Sequence, residues 1–376
     1  MTKPSGHHAS NDRMTMAPDY TERWAKAGRG ELISPPLASK ASYNYYVPLV
    51  KAADDYVHWA QTPHERIYLG FPEIDSQMRG IAPSEMCLIN GYSHSGKTLV
   101  LLQILAANRD KRVIYFCPDE PRTLTLIKLA CVTHGIDANV LEANITLGDQ
   151  KSISLLRETA QEFFPNLAVF DQTVSLIDME RALSEYSDAV GEPQLIVVDY
   201  LDLITGGGED IPSKANSIKA FGKRHNVPML VLHQSSRTAG ADGKKMTISS
   251  GAFGGEQQAT HIIGVRRKRF EIEGYIRELQ EKLDRAANAE RIIEKIESLQ
   301  YELRIHQDTV TVNLVKCKRP ASQLLDDMHF TIEAGTGRLH RLEDGVLPYK
   351  DERPSPPTIA DMVGEQPTLV DALADW

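Results

Sequence analysis

The chain has 376 residues, 41% of them hydrophobic, and a formal net charge of −9. That is enough for one large α/β domain with appendages, and the acidic balance excludes a protein coated in positive charge while leaving room for a few local cations that bind phosphate. With no run of about eighteen apolar residues, and no apolar core in the opening MTKPSGHHASND, neither a membrane span nor a signal peptide is expected; the default is a soluble cytoplasmic protein without a membrane partner.

Residues 1 to about 40 are polar, rich in Pro, Gly and Ser, and lack periodicity, so they read as a disordered arm. The following YNYYVPLVKAADDYVHWAQ sets Leu49, Val50, Ala53, Val57 and Ala60 roughly on one side. That spacing predicts a short amphipathic helix, which either caps the core or docks on a neighbouring subunit. Residues 1–60 therefore form an arm and linker helix ahead of a main domain over 61–345.

From Ile67 to about Val265, the apolar runs MCLIN, RVIYF, LAVF, LIVVD, PMLVLH and HIIGV alternate with helical stretches. Runs of that kind, bounded by turns and separated by helices, predict a largely parallel sheet covered on both faces. Between MCLIN and the helical TLVLLQILAANR, the residues Gly91, Tyr92, Ser93, His94, Ser95, Gly96, Lys97 and Thr98 satisfy G-x-x-x-x-G-K-[ST]. In this strand-to-helix context the glycines let backbone N–H groups wrap phosphates, Lys97 reaches the outer phosphates, and the Thr98 hydroxyl ligates Mg²⁺.

A magnesium site needs a second acid. LIVVD delivers Asp199 to the carboxyl edge of the sheet, where ligands bind in open α/β folds, and Asp202 reads as a strand-end or capping residue. Glu120, at the end of RVIYFCPDE, is positioned to activate water, or else is a helix N-terminal acid favoured by the dipole. The four cysteines, Cys87, Cys117, Cys131 and Cys317, have no zinc spacing and are expected to be buried thiols.

The charged block over about 269–306 carries two registers, Ile276, Leu279, Leu283 and Ala286, then Ile292, Ile296, Leu299 and Leu303. The shift between them predicts a helical hairpin folding back near Ala287 to Ala289, followed by a strand at DTVTVNLV. RRKRF, just before it, either contacts phosphate or is the solvated start of the hairpin. Residues 346–376 are Pro-rich and acidic, with a disordered tail expected.

These elements together resemble the RecA-like motor domain of DnaB-type hexameric replicative helicases, phage-encoded members in particular. The resemblance rests on LGFPEIDSQMRGIAPSEMCLINGYSHSGKT, on VIYFCPDEPRTLTLIKLACVTHGI, on VVDYLDLI with SIKAFGKRHNVPMLVLHQSSR, and on VNLVKCKRP. It implies ATP and Mg²⁺ as cofactors and Glu120 as the catalytic glutamate that activates water. Gln234 is then the sensor of the γ-phosphate, and Lys244 and Lys245 in AGADGKKMTISSGAFGG are the cations that hold single-stranded DNA. Lys316, Lys318 and Arg319 resemble the basic finger that reaches a neighbour's nucleotide; Lys318 stands where an arginine is usual, so all three remain candidates. Thr260 stands where the family usually carries an acid. A homo-oligomeric ring, a hexamer, follows, with a primase, a loader or a single-strand-binding protein as partner and the host cytoplasm as the location if the protein is phage-encoded. The helical N-terminal domain and the zinc primase module of larger relatives are not seen, so the motor alone is expected. Two other readings share parts of this set: a RecA-like recombinase forming filaments on DNA, and a non-catalytic, ATP-gated replication platform.

Overall fold

The computed structural model describes residues 48–172, 174–206, 208–234, 257–283 and 289–342. The expected N-terminal arm, the loop with Lys244 and Lys245, most of the hairpin's fold-back and the acidic tail lie outside the described residues. The chain divides into two compact units, Met1–Gln61 and Thr62–Trp376. In the first, α1 (Leu49–Gln61) has no buried residue and leaves Leu49, Val50, Tyr56 and Val57 exposed. Among the described residues no single helix is long and apolar enough to cross a membrane.

The second unit is built on a nine-stranded sheet in the order β3-β2-β4-β5-β1-β6-β7-β8-β9. Its strands are β1 (Met86–Gly91), β2 (Val113–Phe116), β3 (Leu167–Phe170), β4 (Leu195–Val198), β5 (Met229–Gln234), β6 (His261–Arg266), β7 (Thr309–Cys317), β8 (Leu325–Ile332) and β9 (Leu339–Arg341). Neighbours from β3 through β6 in that order run parallel, and those from β6 onward antiparallel. The sheet is thus mostly parallel, and every apolar run read from the sequence has become one of its strands.

The runs are continuous because both faces are covered. Cys87, Ile89, Val113, Tyr115, Leu195 and Val197 point into one core, with α2 (Pro72–Met78) and α3 (Lys97–Ala107). Helix α3 buries Val100, Leu101, Leu102, Ile104 and Leu105 and is apolar all round, as a helix enclosed by its own domain must be. A smaller cluster of Ala130, Cys131, Leu141 and Leu155 joins α4 (Arg122–His134), α5 (Ala138–Thr146) and α6 (Gln150–Glu158). On the other face, Met86, Leu88, Ile114, Phe116, Ile196 and Val198 meet α7 (Leu176–Ala189) and α8 (Ile211–Arg224).

The charged block forms α9 (Lys268–Leu283) and α10 (Ala289–His306). Ile272, Ile276 and Leu279 of one pack against Ile292, Ile296, Leu299 and Leu303 of the other; the second expected register is complete, while of the first Ile276 and Leu279 take part, Leu283 does not, and Ala286 lies outside the described residues. Strands β8 and β9 were not among the expected elements, although Met328, Phe330 and Ile332 alternate with His329 and Thr331 as in a half-buried strand. The acidic start of β8 is tied down by Arg266 at the end of β6, which pairs with Asp327 and, at 2.9 Å, with Glu271. One cysteine departs from expectation: Cys87, Cys117 and Cys131 are buried, whereas Cys317 at the end of β7 is partly exposed.

Candidate nucleotide site

The phosphate loop joins β1 to α3, and its backbone explains its glycines. Gly96 has φ +98°, and a Cβ there would meet Val310 Cγ2 of β7 at 3.0 Å; a Cβ at Gly91 would run into Ser95 Oγ and Val265 O. His94 adopts the left-handed region at φ 59° and is exposed. Ser95 is 2% exposed, and its Oγ has no hydrogen-bond partner among the described residues. A cradle that a Cβ would fill, holding an orphaned buried hydroxyl, suits a ligand that brings its own oxygens.

Lys97 Nζ donates to Gly91 O at 2.9 Å and to Tyr92 O at 2.7 Å, folding the ammonium over the loop. Burial drags it down to about 8, against the pull of Asp199 and Asp202. Asp199 follows β4 and is 7% exposed, and Tyr115 Oη donates to its Oδ2 at 2.9 Å. Burial pushes Asp199 up to about 6; the Tyr115 hydrogen bond opposes this, and the charge of Glu120 adds to it. Asp202 sits in the short helical turn Leu201–Leu203, 3.5 Å from His233 Nδ1.

These groups share one cleft of about 660 Å³ at the carboxyl edge of the parallel strands, where Ser93, His94, Ser95, Gly96, Lys97 and Thr98 meet Glu120, Asp199 and Gln234. Gln234 ends β5 in register with Gly91. Glu120 is not free, since Lys128 Nζ of α4 donates to both its carboxylate oxygens at 2.6 Å.

Sequence reasoning had left out several lining residues. Asp119, exposed beside Glu120, is a second acid in the cleft, and the turn Gly335, Thr336 and Gly337 between β8 and β9 closes one side. Arg267 also lines it, held by Nη2 donating to Gln307 O at 2.7 Å while its buried Nε has no partner among the described residues. The signal for Arg267 was present in RRKRF, where a phosphate contact was weighed against solvation.

Lys316, Lys318 and Arg319 are not brought to this cleft. Because β7 runs antiparallel to β6, its end pairs with the start of β6, at the edge opposite the phosphate loop. Lys318 is exposed, and Lys316 Nζ lies 3.4 Å from Gln257 O. Arg319 forms a two-pronged 2.6 Å pair with Glu85 and also donates to Met78 O and Gly80 O. An arginine so engaged is an internal anchor.

Comparison with known proteins identifies relatives in sequence and in fold. The DnaB-like helicase C terminal domain matches residues 67–301. The replicative DNA helicase DnaB of Pasteurella multocida (strain Pm70) is 27% identical over 195 residues, which are 48% of this chain and 41% of that protein. That of Geobacillus stearothermophilus is 25% identical over 182 residues, 45% of this chain and 39% of that protein. The chain thus spans about two fifths of the length of these relatives. Among solved structures, one ATPase domain superposes with a TM-score of 0.60 at 16% identity, covering 79% of this chain and 100% of that one. A DnaB-like replicative helicase, studied with its interactions with primase, gives 0.56 at 17% identity, covering 79% and 68%. At those identities the structural likeness shows the fold, the RecA-like α/β core. Resting on the match over 67–301, which takes in the phosphate loop, Glu120, Asp199 and Gln234, the chain belongs to the family of the DnaB-like helicase C-terminal domain.

Proposed function

We propose that this chain is the motor of a replicative DNA helicase, hydrolysing ATP with Mg²⁺ in clefts shared by neighbouring copies of a hexameric ring and so drawing single-stranded DNA through it. The observation that carries this reading is the single cleft gathering Lys97, Thr98, Glu120, Asp199 and Gln234 at the carboxyl edge of the sheet. Bound ATP and Mg²⁺ supply the phosphoanhydride to be cleaved and the divalent charge that neutralises it.

The residues divide the work by position. Backbone N–H groups of the loop and the start of α3 bind the phosphates, and Lys97 leaves the Gly91 and Tyr92 carbonyls to join them. Thr98 and Asp199 would hold the metal. Glu120, once Lys128 releases it, orients and deprotonates the attacking water, with Asp119 as a second carboxylate beside it. Gln234 ends β5 directly before the segment with Lys244 and Lys245, which carries the DNA phosphates and reports the state of the cleft to them. Lys316 and Lys318 of a neighbouring copy complete the site, and α1 docks on a neighbour. A primase or a loader is the partner expected.

A steady-state ATPase assay with and without single-stranded DNA, run beside unwinding of a forked duplex, tests this reading, with Lys97→Ala as the blank. DNA-stimulated turnover and strand separation are expected. A monomer that hydrolyses ATP at full speed without responding to DNA would refute it. The Glu120–Lys128 pair favours a second reading, an ATP-gated platform without chemistry; in that case turnover equals that of Lys97→Ala while partner binding survives.

A further inference from the structure

At the edge of the sheet away from the nucleotide cleft, Cys87, His261 and Cys317 form one row. Cys87 pairs in register with His261, and His261 with Cys317. His261 is fully buried. Its Nε2 lies 3.3 Å from Glu85 Oε2, and Glu85 is fixed by the two 2.6 Å bonds from Arg319 and by the Ala82 N–H at 2.9 Å. Its Nδ1 has no hydrogen-bond partner among the described residues, and the Cys317 thiol donates to Gln77 O at 3.9 Å. The row therefore contains a carboxylate that orients an imidazole, a second imidazole nitrogen that is unpartnered, and a partly exposed thiol directly across on the adjoining strand. That is the order of parts that activates a sulfur nucleophile.

The surroundings reinforce the pattern. Burial pushes the Cys317 thiol up, but its interactions with His261, Ser322 and the Arg319 N–H outweigh burial and bring it down to about 7. Burial also raises the thiols of Cys87, Cys117 and Cys131, and nothing reverses it there. The charged and titratable groups around the row are Glu85 before β1, Cys87 on β1, His261 on β6, Arg319 after β7, Asp75 on α2, and the flanking Lys316 and Lys318.

We propose that Cys317 is a thiolation site, a thiol activated by His261 that exchanges with low-molecular-weight disulfides. Its proton passes to His261 Nδ1, and the thiolate attacks one sulfur of the disulfide. The Cys317 Sγ–S bond forms as the disulfide S–S bond breaks, and the departing thiolate takes the proton back from His261. One disulfide replaces another, so no further oxidant enters the balance. This chemistry is independent of nucleotide turnover, and the adduct lands one residue from each of Lys316 and Lys318.

The test uses the full chain, treated with oxidised glutathione and, separately, with iodoacetamide across the neutral pH range, with labelled cysteines mapped by mass spectrometry. Cys317 is expected to react first, with a rate inflecting near about 7, and to release its glutathione on treatment with dithiothreitol. Cys317→Ser removes that label. His261→Asn moves the inflection to the ordinary thiol range near about 8.5 and slows reaction at neutral pH roughly three- to fourfold, since the rise in intrinsic nucleophilicity offsets part of the lost thiolate. Because His261 is buried and its substitution can unfold the chain, the wild-type profile decides. An inflection in the ordinary thiol range, or glutathione spread over the buried cysteines with none at Cys317, overturns the proposal.

Discussion

The two edges of the central sheet use charge in opposite ways. At the carboxyl edge, Lys97 and Asp199 are buried with their ionised forms disfavoured, and Ser95 Oγ has no partner among the described residues. At the amino edge of the same strands, Arg319 and Glu85 saturate each other, with backbone groups taking up what remains. One edge keeps its polar groups under-satisfied and so has capacity for an incoming ligand; at the other, this arginine and glutamate are fully engaged with each other and with the backbone, and hold the fold together. A cation's place in a motif therefore says less about its role than whether its hydrogen bonds are already taken.

The largest expected effect separates Lys318 from Arg319. Replacing Lys318 by Ala lowers turnover of the assembled protein by roughly 10³–10⁵ if it is the cation acting across copies, with denaturant midpoints unchanged. Arg319→Leu does the reverse, costing about 3–5 kcal/mol of stability because Glu85 is left mostly enclosed without its partner. Equilibrium unfolding and ATPase rates on both variants check this. Loss of turnover with intact stability in Arg319→Leu would exchange the two roles.

The next contrast lies inside the cleft. Glu120→Gln lowers single-turnover hydrolysis by about 10²–10⁴ if Glu120 activates water, and Asp119→Asn has the smaller effect. A larger loss in Asp119→Asn would show that Lys128 holds Glu120 permanently and that the exposed neighbour performs the chemistry.

The smallest effect is a pH window. The raised value of Asp199 means that its contribution to the stability of the ligand-free chain is present in acid and lost as pH rises through about 6. For Lys97, whose value is depressed, the contribution is present in alkali and lost as pH falls through about 8. Between the two, both groups are charged against their burial, and a magnesium nucleotide offsets the cost. Calorimetric affinity for it should be highest in that interval and fall by up to about tenfold per pH unit below it, as protons compete for the metal ligand. A flat profile would mean that Asp199 does not hold the metal.

Much of this was legible in the sequence. The strands were readable because burial on both faces makes each a continuous apolar run, and the phosphate loop because backbone geometry demands glycine at fixed places. Asp199 followed from LIVVD, and the hairpin from its shift in register. What escaped depends on pairings between distant segments. Glu85 and Arg319 are 234 positions apart, and no local pattern marks their union. Strand β8 shows its alternation only from Met328 to Ile332, and the partner of its acidic start, Arg266, lies 61 positions before Asp327. The capture of Glu120 by Lys128 was equally invisible, and RRKRF showed a cluster of cations without showing that Arg267 is the one that faces the cleft, because composition gives charge and only the fold gives direction.

Strand β7 has a mechanical implication. It starts with Val310 packed against Gly96 of its own phosphate loop and, nine residues long and about 30 Å from end to end, finishes beside the lysines proposed to serve the adjoining copy. In the ring proposed above, each such strand links the wall of one fuel chamber to the cations offered to the next, so a single stretch of backbone, clamped between β6 and β8, is shared by two consecutive chambers.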